Sequence, residues 1–325
     1  MVDESNQGPK KKTGSIRREV SMINLKISDG LGNQMFQYAF GRALSDLCHD
    51  RLYLNTLHFA QSDLRHYSLK HFYLNDEVKE YTKWQQYATY VYGKLKYSYL
   101  SKIKYKTFKG TEVELLQAFN KEGIYYGLSP YEYYEIQKSR AAIKYVNGYW
   151  QSPKFFSQIE SQLQKELRVK TKPSKENEAM LQQIAQDNAV CVHIRRGDYI
   201  GSNFDICTEA YYQKAMEVIT SKVENPIFYI FSNSSEDLQW IKENYHFNHS
   251  LVYVDLNNCD YEELRLMYSC KHFIISNSTF SWWGAYLSTS PTKVVVAPSK
   301  WNQDYKVVED LYLDNWIKVG VEATA

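Results

Sequence analysis

Three short segments of this 325-residue chain combine residue types that can do chemistry. The first is His193-Ile194-Arg195-Arg196-Gly197-Asp198-Tyr199, directly after the apolar run AVCVHI. Two arginines beside a turn glycine offer cationic forks to phosphate oxygens, and Asp198 adds a carboxylate. An Arg–Asp ion pair that closes the turn carries about equal weight for these residues. The second segment, Ile275 to Gly284 (ISNSTFSWWG), is a hydroxyl-rich turn that opens a helix. Ser and Thr are ordinary N-caps there, yet the same N-terminus, with its free N–H groups, is a ready anion site. The third, Gly30 to Gln37 (GLGNQMFQ), is a glycine turn that lets backbone approach a ligand. A dinucleotide fingerprint would need glycine at position 35, where Met35 stands.

The sequence has no P-loop lysine motif, no HExxH, no GxSxG and no D-x-D. A phosphate-bearing substrate would therefore be met by arginine and a helix N-terminus rather than through a metal-binding acidic motif.

These segments need strands and helices to hold them. INLKIS alternates like a strand, and Met35 to Leu47 carries apolar residues at helical spacing, so the glycine turn sits between strand and helix. Arg51 to Tyr145 reads as mainly helical, with a polar loop near His58 to His66 and a tyrosine-rich stretch from Tyr81 to Tyr105. KYVNGYW is a short apolar run, Pro153 to Leu167 a helix, and Lys170 to Lys175 a polar linker that separates two domains. Beyond it, strand-like AVCVHI, IFYIFS, LVYVD, HFIIS and KVVVA alternate with helical segments. That alternation predicts a parallel sheet covered on both faces, with ligands beyond the carboxyl ends of its strands.

Composition narrows the class. The net charge of +2 does not point to nucleic acid, and 44% hydrophobic residues with a mean hydropathy of -0.54 exclude a wholly disordered or membrane-embedded chain. Five cysteines without C-x-x-C spacing indicate buried, reduced thiols rather than a disulfide framework or zinc site. Met1 to Ser21 is polar and basic and lacks the apolar region of a secretory signal, which predicts a cytoplasmic protein. The same basic residues could touch the inner membrane face or an acidic partner, with a solvated tail the favoured reading. The 29 tyrosines suit either a sugar-binding surface or water-edged packing, and packing is the commoner use.

Taken in order, GLGNQMFQYAFGRAL, GYWQSPKFF (Gly148 to Phe156), HIRRGDY and SNSTFSWWGAYL resemble the α-1,2-fucosyltransferases of glycosyltransferase family 11, the bacterial members above all. The resemblance spans Met22 to the region of Trp301. It implies an α/β GT-B fold of two Rossmann-like domains with the active site in the cleft between them. The implied division is a tail at 1–21, an acceptor-side domain at 22–170 and a GDP-fucose-binding domain at 171–325. It also implies a GDP-L-fucose donor, a galactose-terminated glycan acceptor, no divalent metal, and inversion at the fucose anomeric carbon. By the same resemblance Arg195 holds the β-phosphate, His193 lines the guanine and ribose side, and Arg196 supports the site. Asn277, Ser278, Thr279 and Phe280 belong to the turn around the pyrophosphate, and Asn33 reaches the donor across the cleft. Asp255 is a candidate acceptor for guanine N–H groups, or equally a turn cap. One departure is plain: family members often carry an acidic pair after the strand matching IFYIFS, where this chain has Asn233-Ser234-Ser235.

Inverting transfer needs stabilisation of the departing phosphate and a group to receive the acceptor's proton. Arg195 and the turn at Ser278 suit the first need. Asp198 is the expected base, with Asp205 a competitor and proton loss to water or phosphate a third route. Tyr149, Trp150, Trp282 and Trp283 could stack on sugars, with core packing favoured for the Trp pair. A noncatalytic glycan-binding protein, or a transferase with another nucleotide sugar, would share the aromatic surface. A lectin, however, has no use for a nucleotide-diphosphate site.

Overall fold

The computed structural model describes residues 21–61, 65–127, 131–304 and 308–321. Apart from Ser21, the expected tail falls outside these residues.

In the first half, β1 (Met22–Lys26) leads through the glycine turn into α1 (Leu31–Cys48) and back into β2 (Arg51–Asn55). There follow β3 (Lys79–Glu80), α2 (Lys83–Tyr99) with a π turn over Leu100–Lys104, α3 (Glu112–Lys121), β4 (Ile124–Tyr126) and β5 (Ile143–Asn147). The strands form a parallel sheet in the order β3-β2-β1-β5-β4. The tyrosine-rich stretch is helical as expected, but the mainly helical reading of 51–145 is corrected by four strands within it. Two of them have only two or three residues, too short to show a period, and buried β5 lacks alternation because both its faces are covered.

After two 3₁₀ turns come α4 (Glu160–Glu166) and α5 (Lys175–Gln186). The expected single helix from Pro153 is broken at Phe156, whose φ of -138° and ψ of 15° are not helical. The second half then alternates: β6 (Asn188–Ile194), α6 (Glu209–Thr220), β7 (Pro226–Ser232), α7 (Ser235–Asn244), β8 (Leu251–Tyr253), α8 (Asp260–Ser269), β9 (His272–Ile274), α9 (Thr279–Leu287), β10 (Val295–Pro298) and β11 (Ile317–Val319). Its parallel sheet runs β11-β10-β9-β6-β7-β8. All five expected strands are present, and only β11 went unread.

Two parallel α/β sheets with helical crossovers, opening on a shared cleft, make up the GT-B arrangement. In each sheet the chain leaves the first strand to one side and later returns to the other. The switch points therefore lie between β1 and β5, and between β6 and β9, where a crevice opens beyond the strand ends.

The halves are joined by aromatic packing of α1 against α9. The Phe36 ring lies 4.6 Å from that of Trp282 and 5.0 Å from that of Trp283, and Phe156 stacks on Trp283. Both tryptophans are fully buried, so they are core, as favoured. Trp150 is core too, stacked on Phe40 at 3.7 Å. At the cleft end of this seam, Gly32 meets the backbone of Thr279 and Phe280. A Cβ on Gly32 would lie 2.6 Å from the Thr279 carbonyl carbon and the Phe280 nitrogen. Deeper in the N-terminal half, Glu166 accepts from the Arg42 guanidinium and from Tyr38 Oη at 2.7 Å, a largely buried cluster that ties α4 to α1.

Gly32→Ala would force α1 away from a backbone that cannot yield as a side chain can. The expected loss is about 1–3 kcal/mol, the usual cost of overpacking, together with weakened ligand binding in the cleft. Urea denaturation of the variant beside the parent checks the stability term.

Candidate active site

A cavity of about 750 Å³ lies between the halves, within the usual size range of small-molecule sites. Its N-terminal wall includes the glycine turn (Asp29 to Asn33), Arg65 to Ser68, Lys70, His71 and Tyr149. The opposite wall includes His193, Arg195, Asp198, Ser278 to Phe280 and the start of α8. The loop expected near His58 to His66 thus supplies cleft residues at Arg65 and His66, and positions 62–64 lie outside the described residues.

Arg195 leaves the end of β6 at the switch point. Its guanidinium donates to Asp198 Oδ1 at 2.7 Å and lies against the Tyr199 ring. Its Nε–H is buried and has no hydrogen-bond acceptor among the described residues. The side chain is 18% exposed and lines the cavity, and a guanidinium in that position suits an anionic oxygen. His193 is fully buried, with Nδ1 3.1 Å from Ser276 Oγ. Burial above all, and then the charge of Arg195, pushes its pKa down to about 3. The ring is therefore neutral and serves as a hydrogen-bonding wall, not as a cation.

At the end of β9 the turn is built as the sequence suggested. Ser278 caps α9 by accepting from Phe280 N at 3.3 Å, while Thr279 and Phe280 line the cavity at the helix N-terminus. Asn277 stands behind this surface. It is buried and donates to the carbonyls of Trp301 and Phe204, so it shapes the turn without lining the cavity.

Arg196 points the other way. It lies over the Trp240 ring and 3.6 Å from Asp237, pinning α7 behind the site. Asp205 accepts from Gly201 N at 3.0 Å and does not line the cavity. Asp198, the expected base, is held between two guanidiniums, Arg195 at 2.7 Å and Arg65 at 3.6 Å across the cleft. That pairing suits a clamp on Arg195. Asn33 lines the cavity, with its Oδ1 accepting from Gln151 Nε2 at 2.7 Å. Asp255 lies beyond the main cavity, in an adjoining pocket of about 170 Å³, and accepts from Ser235 Oγ at 2.5 Å.

Several cleft residues escaped the sequence reading because they stand at the strand-distal ends of loops with no motif. Glu263, on the first turn of α8, lines both the main cavity and the pocket of Asp255. Burial pushes its carboxyl up to about 8, against the opposing pull of Arg195. Cys259 lies exposed in the cavity wall, which corrects the expectation that all five thiols are buried; Cys48, Cys191 and Cys270 are. Tyr149 is the one of the four suggested stacking aromatics that faces the cavity. Among the described residues no cluster of His, Cys, Asp or Glu forms a metal site, and no helix is long and apolar enough to cross a membrane.

A cationic, hydroxyl-lined crevice at the switch point of one α/β half, faced by a glycine turn from the other, has the chemistry to receive a phosphate group in a two-domain cleft. The profile of glycosyl transferase family 11 matches residues 22–320, and the chain belongs to that family of glycosyltransferases. An α-1,2-colitosyltransferase of Escherichia coli is 26% identical, over 92% of this chain and 99% of its own length. A galactoside 2-α-L-fucosyltransferase of Caenorhabditis elegans is 28% identical over 56% of this chain, which spans about half, 54%, of that relative. Among solved structures, a mutant of the Arabidopsis thaliana FUT1 protein in complex with GDP is 10% identical, with a TM-score of 0.48 over 90% of this chain and 71% of that one.

Because burial raises the Glu263 pKa above its unfolded value of about 4.5, its contribution to stability is present below pH 4.5 and is lost as pH rises through about 8. Glu263→Gln is therefore expected to be more stable than the parent at pH 8.5, with the gap narrowing towards pH 5. Thermal melts across that range read the difference.

Proposed function

We propose that the protein is an inverting galactoside α-1,2-fucosyltransferase, moving L-fucose from GDP-β-L-fucose to the 2-hydroxyl of a terminal galactose in a surface polysaccharide or blood-group-like oligosaccharide. The observation that carries this reading is the Arg195 guanidinium lining the cavity beside the N-terminus of α9. Together they form a preorganised site for the negative charge that develops on a departing diphosphate. Membership of family 11 supplies the reaction class.

In this reading the pyrophosphate lies against Arg195 and the turn Ser278-Thr279-Phe280, with Asn33 reaching it from the opposite half. Asp198 and Arg65 keep the guanidinium aimed. The guanine end extends past neutral His193 towards the adjoining pocket, with Glu263 at its mouth and Asp255 inside. Guanine N–H donors would favour the ionised form of Glu263 and repay part of its burial. Asn277 and Arg196 act one layer back, by shaping the turn and anchoring α7. The charge on the leaving group is met by guanidinium and backbone dipoles, so the transfer proceeds without a divalent metal. A cytoplasmic setting, peripheral to the membrane, suits an enzyme that consumes a nucleotide sugar.

The full-length similarity to a colitosyltransferase favours a second donor, GDP-colitose, for the same site and chemistry. It differs from GDP-fucose by lacking a sugar hydroxyl, and a competition assay between the two ranks them.

The test is an assay with EDTA present, using GDP-L-fucose and a panel of lactose, N-acetyllactosamine and β-galactosides substituted through a 1,3 linkage. An α-1,2-linked fucose on galactose is expected. GDP-colitose used in preference to GDP-fucose moves the reading to the second donor, and loss of activity on adding EDTA overturns metal independence. Arg195→Ala should keep the fold but lose nearly all turnover and the thermal protection that GDP gives the parent. An active variant would refute the assignment.

A further inference from the structure

The N-terminal half has its own switch-point crevice, between β1 and β5, and it is hollow. A pocket of about 520 Å³ opens there, lined among others by Gln37, His58, Tyr126, Asn147 and Tyr149. Amide, imidazole and phenol groups around an open, polar hollow suit the hydroxyls and faces of a sugar. Two residues, Asp29 and Tyr149, line both this pocket and the main cavity, so they stand where the two spaces meet.

Asp29 is built into that position at a cost. Its φ is 68°, in the left-handed region that few residues other than glycine adopt. Such strain, of order 1–3 kcal/mol, persists only where surrounding contacts hold it and concentrates at functional sites. Here Gln34 Nε2 donates to the Asp29 carbonyl at 2.8 Å, and Ser28 Oγ donates to Oδ2 at 2.9 Å. Burial, and then the negative charge of the nearby Asp29, pushes the Tyr149 phenol up to about 12. The carboxylate is thus oriented by the Ser28 hydroxyl, with acceptor positions to spare. The other carboxyls of the main cavity are otherwise engaged. Asp198 lies between Arg195 and Arg65, Asp260 accepts from Ser68 Oγ at 2.7 Å, and Glu263 sits at the far, α8 side.

We propose that Asp29 is the catalytic base, taking the proton of the acceptor hydroxyl from a sugar seated in the β1–β5 pocket. The proposal rests on the transferase reading above. The acceptor oxygen forms its bond to the donor sugar's anomeric carbon as the bond from that carbon to the β-phosphate oxygen breaks. The electron pair of the broken bond leaves with GDP, and the hydroxyl proton passes to Asp29, which later returns it to water. Asp198 then serves Arg195, and the two tasks of inverting transfer fall to different halves of the molecule.

Steady-state kinetics of Asp29→Asn and Asp29→Gly test this, with GDP binding measured alongside. Asparagine and glycine both accept a φ of 68°, so both variants keep the backbone of the turn. Both are expected to lose about 10²–10⁴-fold in kcat, the usual worth of a general base, with GDP affinity unchanged. Wild-type kcat in a folded variant overturns the proposal, as does a rise in acceptor KM alone. Loss of kcat in His58→Gln but not in Asp29→Asn also overturns it, in favour of the imidazole. Parent turnover is read first: use of another nucleotide sugar in place of GDP-fucose sinks the donor reading, and the Asp29 comparison is then made with that donor.

Discussion

Everything at the active site depends on how closely two turns approach at the seam between the halves. Gly32 presents no side chain to the backbone of Thr279 and Phe280, and a Cβ there would overlap it at 2.6 Å. The approach brings the N-termini of α1 and α9 to the same cleft. It is secured a turn further along by Phe36 packed on Trp282 and Trp283, whose burial supplies the apolar area that holds the seam shut. The motifs GLGNQMFQ and SNSTFSWWG are therefore two sides of one contact. Their small residues make the approach and their aromatic residues hold it.

With that seam in place, the electrostatics follow from position. Arg195 stands at the end of β6, where the chain's connections diverge and a crevice opens, and its charge reaches His193, Asp198, Tyr199 and Glu263. Burial keeps His193 and the Glu263 carboxyl neutral near pH 7, so the fixed charges at the heart of the crevice are those of Arg195 and its partner Asp198. A neutral histidine beside a cation avoids the repulsion that a second positive charge would bring.

The aromatic richness of the chain divides by role. Trp150, Trp282 and Trp283 fill the interior, as do Tyr211 and Tyr212 of α6 and Tyr229 of β7. Tyr149 alone among the suggested stacking residues stands at the cleft, next to a strained aspartate. Trp84, Leu95 and Ile103, by contrast, are exposed along α2 and the π turn, away from the cavities described.

The sequence by itself determined the alternating α/β order of the second half, the strand-end placement of HIRRGDY and SNSTF, and the family. These are local properties: apolar runs of five to seven residues, turn chemistry and motif spacing do not need the fold to be read. It did not determine most of the first sheet, because β3 and β4 are too short to show periodicity and buried β5 shows no alternation. The two arginines were told apart only through the family resemblance, and nothing in the sequence drew attention to Asp29. Adjacent side chains at a strand end diverge, so one arginine enters the cleft while its neighbour lies on Trp240. Glu263, Arg65 and Asp29 acquire their meaning only from residues far away in sequence, and which carboxyl is paired, buried or left open to a substrate is decided by that tertiary company.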